Sequence, residues 1–190
     1  LLTGQKNMSK PQKTDKHIKN ILIDPESIQK RIAELGAEIS ADYRGKELVV
    51  VCILKGAFLF TSDLCRQIDL PQKLDFMAVS SYGDATRSSG IVKIEKDLSE
   101  SIQGKHVLIV EDIIDSGLTL SYIVKILQDR QPADIKVCVL CNKPSNQQQH
   151  VKVDYCGFKL EDEFVVGYGL DFKGYLRNLP YIGVVKDEYR

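Results

Sequence analysis

The chain has 190 residues, 43% of them hydrophobic, and its 26 lysines and arginines balance 26 aspartates and glutamates. That length suits one domain, residues 1–190, with a sizeable core, and the balanced charge provides no global basic field for a nucleic-acid partner. No apolar run approaches the ~18–20 residues of a membrane-spanning helix, so no membrane partner is expected.

The opening LLTGQKNMSKPQKTDK lacks the long apolar core of a signal peptide. Met8-Ser9 within it reads as a natural start preceded by foreign residues, and residues 1–16 are expected to be disordered. Asp24-Pro25 supplies a cap and a first-turn proline. Ile28, Ile32, Leu35 and Ile39 then recur at helical spacing, which predicts a helix to about Asp42. Glu47–Leu54 (ELVVVCIL) reads as a buried strand, Ala57–Ile68 as a helix and Asp75–Ser80 as a strand. Tyr82–Gly90 is polar with a glycine at each end, the pattern of a mobile loop. Ile91–Glu95 alternates like an antiparallel strand. A strand from Val107, a helix over Leu118–Gln128 and a strand over Ile135–Cys141 follow. Phe164–Val166 and Ile182–Val185 are short apolar stretches among loops. Alternating strands and helices predict an α/β fold, a mainly parallel twisted sheet flanked by helices on both faces.

Five cysteines lie at 52, 65, 138, 141 and 156. Cys52 and Cys138 fall in apolar runs and read as core. Cys138-Val-Leu-Cys141 has CxxC spacing, but it sits in a strand and no second ligand pair follows, which disfavours a zinc site. An odd set of reduced thiols points to the cytoplasm. Neither a Walker A loop nor GxGxxG occurs; Gly167-Tyr168-Gly169 gives half of the latter.

The richest segment runs from Val107 to Thr119, VLIVEDIIDSGLT. An apolar strand leads into Glu111, Asp112 and Asp115, and then into a turn that opens a helix. The turn Asp115-Ser116-Gly117-Leu118-Thr119 leaves backbone N–H groups without helical partners, and with the positive end of the helix dipole they form an anion site. Gly117 permits the tight turn and a close approach by a phosphate, and the hydroxyls of Ser116 and Thr119 add donors. Asp-Ser-Gly alone is also an ordinary helix start. Glu111 and Asp112, however, are costly to leave unpaired at the end of an apolar strand. They suit sugar hydroxyls or a hard cation, and Asp115 is placed to act as an acid or base over a bound sugar.

This run resembles the phosphoribosyl-pyrophosphate motif of the type I phosphoribosyltransferases. Glu111-Asp-Ile-Ile-Asp-Ser-Gly117 is similar to the form found in hypoxanthine-guanine phosphoribosyltransferases of bacterial type, and the resemblance extends from about Ile21 to Val185. It implies that fold, with a small hood formed by the terminal segments, and transfer of phosphoribose to hypoxanthine or guanine with Mg2+ as cofactor. Leu54-Lys55-Gly56-Ala57 becomes the pyrophosphate loop, with Lys55 and Gly56 as binding residues and the Leu-Lys peptide cis in many members. Ser81 and Tyr82 become part of a lid that keeps water from an oxocarbenium-like centre. Lys143 would donate to the exocyclic oxygen at purine position 6, favouring 6-oxopurines over adenine. Within Glu163–Asp171, Phe164 would stack on the purine and the Val165 backbone would read its edge. Asp171 joins Glu111 and Asp112 as a metal ligand, and Arg177 pairs with pyrophosphate oxygens. Leu118 stands where some relatives carry Lys, a departure that leaves the backbone donors intact. A homodimer or homotetramer is implied.

Two rival readings share this fold. One is an enzyme acting on xanthine or a pyrimidine; the other is a nucleotide-sensing regulator. Lys143 and Phe164 favour a 6-oxopurine over a pyrimidine. The intact carboxylates at 111, 112 and 115 favour an enzyme.

Overall fold

The apolar runs of the chain become its central strands. In the computed structural model, which describes residues 16–81 and 92–189, β2 (Leu48–Leu54), β5 (His106–Ile114) and β6 (Asp134–Asn142) lie side by side. With β3 (Gln72–Ser81), β4 (Val92–Lys96) and β7 (Tyr155–Lys159) they form a six-stranded sheet of order β4-β3-β2-β5-β6-β7. All pairings are parallel except β3 with β4, the antiparallel edge.

Residues two apart along a strand share a face, and both faces are covered. Val50, Leu108, Val110 and Leu140 pack with Ile28, Ile32, Leu35 and Ile39 of α1 (Pro25–Asp42) and with Phe60 and Leu64 of α2 (Phe58–Gln67). Val49, Val51, Val107, Ile109 and Val139 face the other way, onto Leu120, Ile123 and Leu127 of α3 (Leu118–Gln128). Burial on two sides is why these strands read as continuous apolar runs rather than alternating ones. The α1 start is where its cap places it: the Asp24 carboxylate accepts from the Ser27 N–H at 2.8 Å, with Pro25 in the first turn.

A second, three-stranded antiparallel sheet of order β1-β9-β8 joins β1 (Ile18–Ile23), β8 (Val165–Val166) and β9 (Ile182–Val185). It brings together segments from the two ends of the chain. Neither β1 nor β7 is marked by the sequence pattern. In β1 only Ile18 and Ile23 are buried, with four exposed residues between them, so it lacks an apolar period. The expected loop at Tyr82–Gly90 lies outside the described residues.

The order of the sheet creates the site. From β2 the chain passes to β3 on one side, and β5 then takes the other side of β2. At such a reversal the connections leave in opposite directions, and a crevice opens outside the carboxyl ends of the two strands. The residues after β2 are Lys55 and Gly56; those ending β5 and following it are Glu111 to Thr119.

Candidate active site

Glu111 and Asp112 lie in the second half of β5, both half-buried. Their hydrogen bonds are short-range: Glu111 Oε1 accepts from the Asp112 N–H at 3.2 Å and Asp112 Oδ1 from the Ile113 N–H at 2.8 Å. Among the described residues no lysine or arginine forms an ion pair with either. Burial, and then the neighbouring carboxylate, holds the Glu111 carboxyl well above its usual range. Burial also raises Asp112, against the lowering effect of its hydrogen bonds and of Arg177.

Beyond them the chain turns into α3. Gly117, at φ +77°, caps the helix without a side-chain hydrogen bond. Ser116 Oγ lies 3.5 Å from the Leu118 N–H. A cavity of about 230 Å³ opens here, lined by Glu111, Asp115, Ser116, Gly117 and Thr119 among others. Gly117 also meets a neighbour that the sequence does not reveal. The Gln148 and Gln149 N–H groups donate to the Ser116 carbonyl at 2.9 and 3.1 Å. The Gln149 carbonyl then lies so close that a Cβ on Gly117 would overlap it. The segment after Lys143 therefore braces the turn from behind.

The Leu54–Lys55 peptide is cis. Lys55 is exposed and Gly56 buried. A Cβ on Gly56 would overlap the Asp112 carboxylate, and a Cβ on Gly169 would overlap the Gly56 carbonyl. Three segments distant in sequence thus meet closely: the Asp112 carboxylate at the β5 end, the backbone of the loop after β2, and Gly167-Tyr168-Gly169. The last is anchored by the Tyr168 hydroxyl, which donates to the Asp63 carboxylate on α2. Arg177 folds back onto the same loop. Its guanidinium donates to the Gly169 carbonyl at 2.6 Å and pairs with Asp171 Oδ1 at 2.6 Å. Asp171 Oδ2 accepts from the Gly174 N–H at 2.7 Å.

On the other side of Asp115 lies Lys143, whose N–H donates to the Ile114 carbonyl at 3.0 Å. Its side chain is buried and its ammonium lies 3.9 Å from Asp162 Oδ1. Phe164 is 42% exposed while Val165 and Val166 are buried. Read as bare sequence, all three are core; in the structure Phe164 presents its ring outward, edge-on to Phe172 at 5.6 Å. Ser81 ends β3, and Tyr82 lies outside the described residues. Sequence reasoning missed Asn146 and Asp162. The Asn146 amide donates to Asp115 Oδ1 at 2.9 Å and to Asp162 Oδ1 at 2.7 Å. An Asn two residues beyond Pro144 in a polar loop carries no signal of that role.

Glu111 and Asp112 suit a hard cation, since they are half-buried oxygen donors that form no ion pair among the described residues. Among the described residues no three His, Cys, Asp or Glu side chains converge as a ready cage, and Asp171 is engaged by Arg177 and Gly174. This donor set fits Mg2+, which is held by one or two carboxylates and completes its shell with waters and substrate oxygens. Cys138 and Cys141 are both free and buried, and burial pushes both thiols up. No helix among the described residues is long and apolar enough to cross a membrane.

The comparisons with known proteins agree with this geometry. A family profile described as a phosphoribosyl transferase domain matches residues 17–173. The chain is 51% identical over 174 residues to a hypoxanthine-guanine phosphoribosyltransferase of Mycobacterium avium, covering 88% of this chain and 86% of that protein. It is 51% identical over 169 residues to the enzyme of that name from Bacillus subtilis, covering 89% and 94%. A crystal structure of a hypoxanthine phosphoribosyltransferase from Staphylococcus aureus superposes with a TM-score of 0.92 at 45% identity, covering 95% of this chain and 98% of that one. On its sequence, its sheet order and its crevice, the chain belongs to the phosphoribosyltransferase family, among the hypoxanthine-guanine phosphoribosyltransferases.

Proposed function

We propose that the protein is a purine salvage enzyme. It transfers the phosphoribosyl group of 5-phospho-α-D-ribose 1-diphosphate to N9 of hypoxanthine or guanine, giving IMP or GMP and pyrophosphate. The observation that carries this reading is the surroundings of Asp115. One flank is the open helix N-terminus with its 230 Å³ cavity; the other is the buried Lys143 beside Asp162. A phosphate site and a base-recognition donor on either side of one carboxylate suit a substrate pair that meets there.

The 5′-phosphate is assigned to the N–H groups and hydroxyls of Ser116, Gly117, Leu118 and Thr119. Glu111 and Asp112 take the ribose hydroxyls and, with Asp171, are the proposed magnesium ligands. Bound Mg2+ would offset charge on the pyrophosphate as it leaves. Lys55, Gly56 and Arg177 take pyrophosphate oxygens, which requires the Arg177 fork to exchange part of its bonding to Asp171 and Gly169. Lys143 donates to the purine 6-oxygen, Phe164 stacks on the ring, and the Val165 backbone reads its edge. Ser81 and Tyr82 remain assigned to the lid. As the C1′–oxygen bond to pyrophosphate breaks and the C1′–N9 bond forms, Asp115 faces N7 and assists loss of the proton from the base. Most of the rate enhancement then comes from positioning and charge stabilisation.

The cytoplasm is the proposed location, on the strength of five free cysteines, and the proposed assembly is a homodimer or homotetramer. The test is magnesium-dependent pyrophosphate release with hypoxanthine, guanine, xanthine, adenine and uracil in parallel. Release with the first two, abolished by a chelator, is expected. Release only with xanthine or uracil would overturn the base assignment, and donor binding without release for any base would make the chain a regulator.

A further inference from the structure

We propose that Asn146 is a positioning residue for the transfer reaction: its amide ties Asp115 to Asp162, and so fixes the catalytic carboxylate relative to the lysine that reads the base. This inference rests on the reading of Asp115 as the acid–base group.

Asp115 is exposed, and an exposed carboxylate on a turn rotates freely unless something holds it. The one hydrogen bond to its side chain among the described contacts comes from Asn146 Nδ2 at 2.9 Å. The same nitrogen donates to Asp162 Oδ1 at 2.7 Å. A primary amide nitrogen carries two protons, so both bonds are made at once. The direction of the amide is also set, because the Ser145 hydroxyl donates to Asn146 Oδ1 at 3.3 Å and leaves the NH2 facing the carboxylates. Asp162 Oδ1 lies 3.9 Å from the Lys143 ammonium. A continuous line therefore runs from Asp115 through Asn146 and Asp162 to Lys143.

The backbone places Asn146 for this. Pro144–Asn146 is a single 3-10 turn, closed by the Asn146 N–H donating to the Lys143 carbonyl at 3.2 Å. Lys143 is pinned to β5 through the Ile114 carbonyl. The residue is half-buried at the rim, away from the core clusters, so the amide is not there to fill space. Two carboxylates this close to one point repel, and a neutral double donor is the group that bridges them. An acidic residue at 146 would add a third negative charge, and alanine would free Asp115.

The experiment is a double-mutant cycle on kcat with Asn146→Ala, Asn146→Asp and Asp115→Asn, each checked for an unchanged thermal midpoint. Asn146→Ala and the isosteric Asn146→Asp should each lower kcat roughly 10-fold to 100-fold, with KM for the phosphoribosyl donor within about 2-fold, because the Ser116–Thr119 donors are untouched. In the Asp115→Asn background Asn146→Ala should have no further effect on kcat; a merely structural residue would cost the same in both backgrounds. Unchanged kcat in both Asn146 variants, or full additivity with Asp115→Asn, overturns the proposal while leaving the reading of Asp115 intact. Unchanged kcat in Asp115→Asn overturns both.

Discussion

The two ends of the central sheet treat carboxylates in opposite ways. Toward the amino ends of the strands acids are paired. Asp42 accepts from the Lys136 ammonium at 2.7 Å and the Tyr155 hydroxyl at 2.6 Å, and these bonds lower its pKa. Asp97 receives both arms of the Arg130 guanidinium at 2.8 Å, which lowers its pKa as well. At the carboxyl ends Glu111 and Asp112 are adjacent, half-buried and, among the described residues, without an ion pair, and both are raised. The first arrangement serves the folded state alone. The second is a cost that folding bears until a ligand arrives, as expected where function rather than stability selects the residues.

The sharpest way to break this contrast is to neutralise the acidic pair. Glu111→Gln with Asp112→Asn should lower kcat/KM about 100-fold or more by removing the oxygens proposed to take ribose and magnesium. The same double variant should raise the thermal midpoint of the unliganded protein by roughly 2–4 °C at pH 8, since about 1 kcal/mol of like-charge and desolvation penalty goes with the charges. Activity lost together with stability would mean that the pair is structural.

Gly117→Ala comes next in size. Its φ of +77° and the Gln149 carbonyl behind it leave no room for a Cβ. The strain should cost ~1–2 kcal/mol and weaken donor binding about 10-fold through the displaced N–H groups. A titration of donor binding checks it; unaltered affinity would separate the turn from the phosphate.

The two ends also predict opposite pH dependences. For Glu111 and Asp112 the folded-state values lie above the ordinary 4.5 and 3.8. As pH rises through that window the unfolded chain loses these protons first, so the pair makes the unliganded protein less stable with rising pH. Asp42 and Asp97 lie below 3.8. Their contribution is full above that value and is lost as pH falls through their folded pKa. Thermal midpoints between pH 3 and 8 should therefore pass through a maximum, and the fall on its alkaline side should flatten in the Glu111→Gln, Asp112→Asn variant.

What the sequence revealed follows the same division. α1 and α3 are legible because apolar spacing and a cap act locally: Asp24-Pro25 starts one, and Gly117 precedes the other. The acidic run is legible because two carboxylates at the end of a buried strand contradict their surroundings. β1 and β7 are not, since edge strands with few buried residues leave no period to read. Asn146 and Asp162 escape for a different reason. Their meaning arises where loops after β6 and β7 converge on Asp115, and an Asn or Asp in a loop looks the same whether or not it has such a neighbour. Phe164 shows the limit from the other side: its apolar context reads as core, and only the sheet pairing of Val165 and Val166 with β9 reveals that the residue before them points outward.

The smallest predicted effect tests the amino end. Asp97→Asn removes a charge from a two-armed pair with Arg130 whose carboxylate side is half-exposed, 49% against 30% for the arginine. Water and salt screen such a pair, so the loss should be no more than about 0.5–1 kcal/mol, or a shift of roughly 1–4 °C, with kcat and KM unchanged. Raising ionic strength should shrink the difference between the variant and the parent protein, because the attraction being removed is the part that salt screens. A larger loss, or any change in kcat, would mean that the loop after β4 communicates with the crevice and that the two ends of the sheet are not independent.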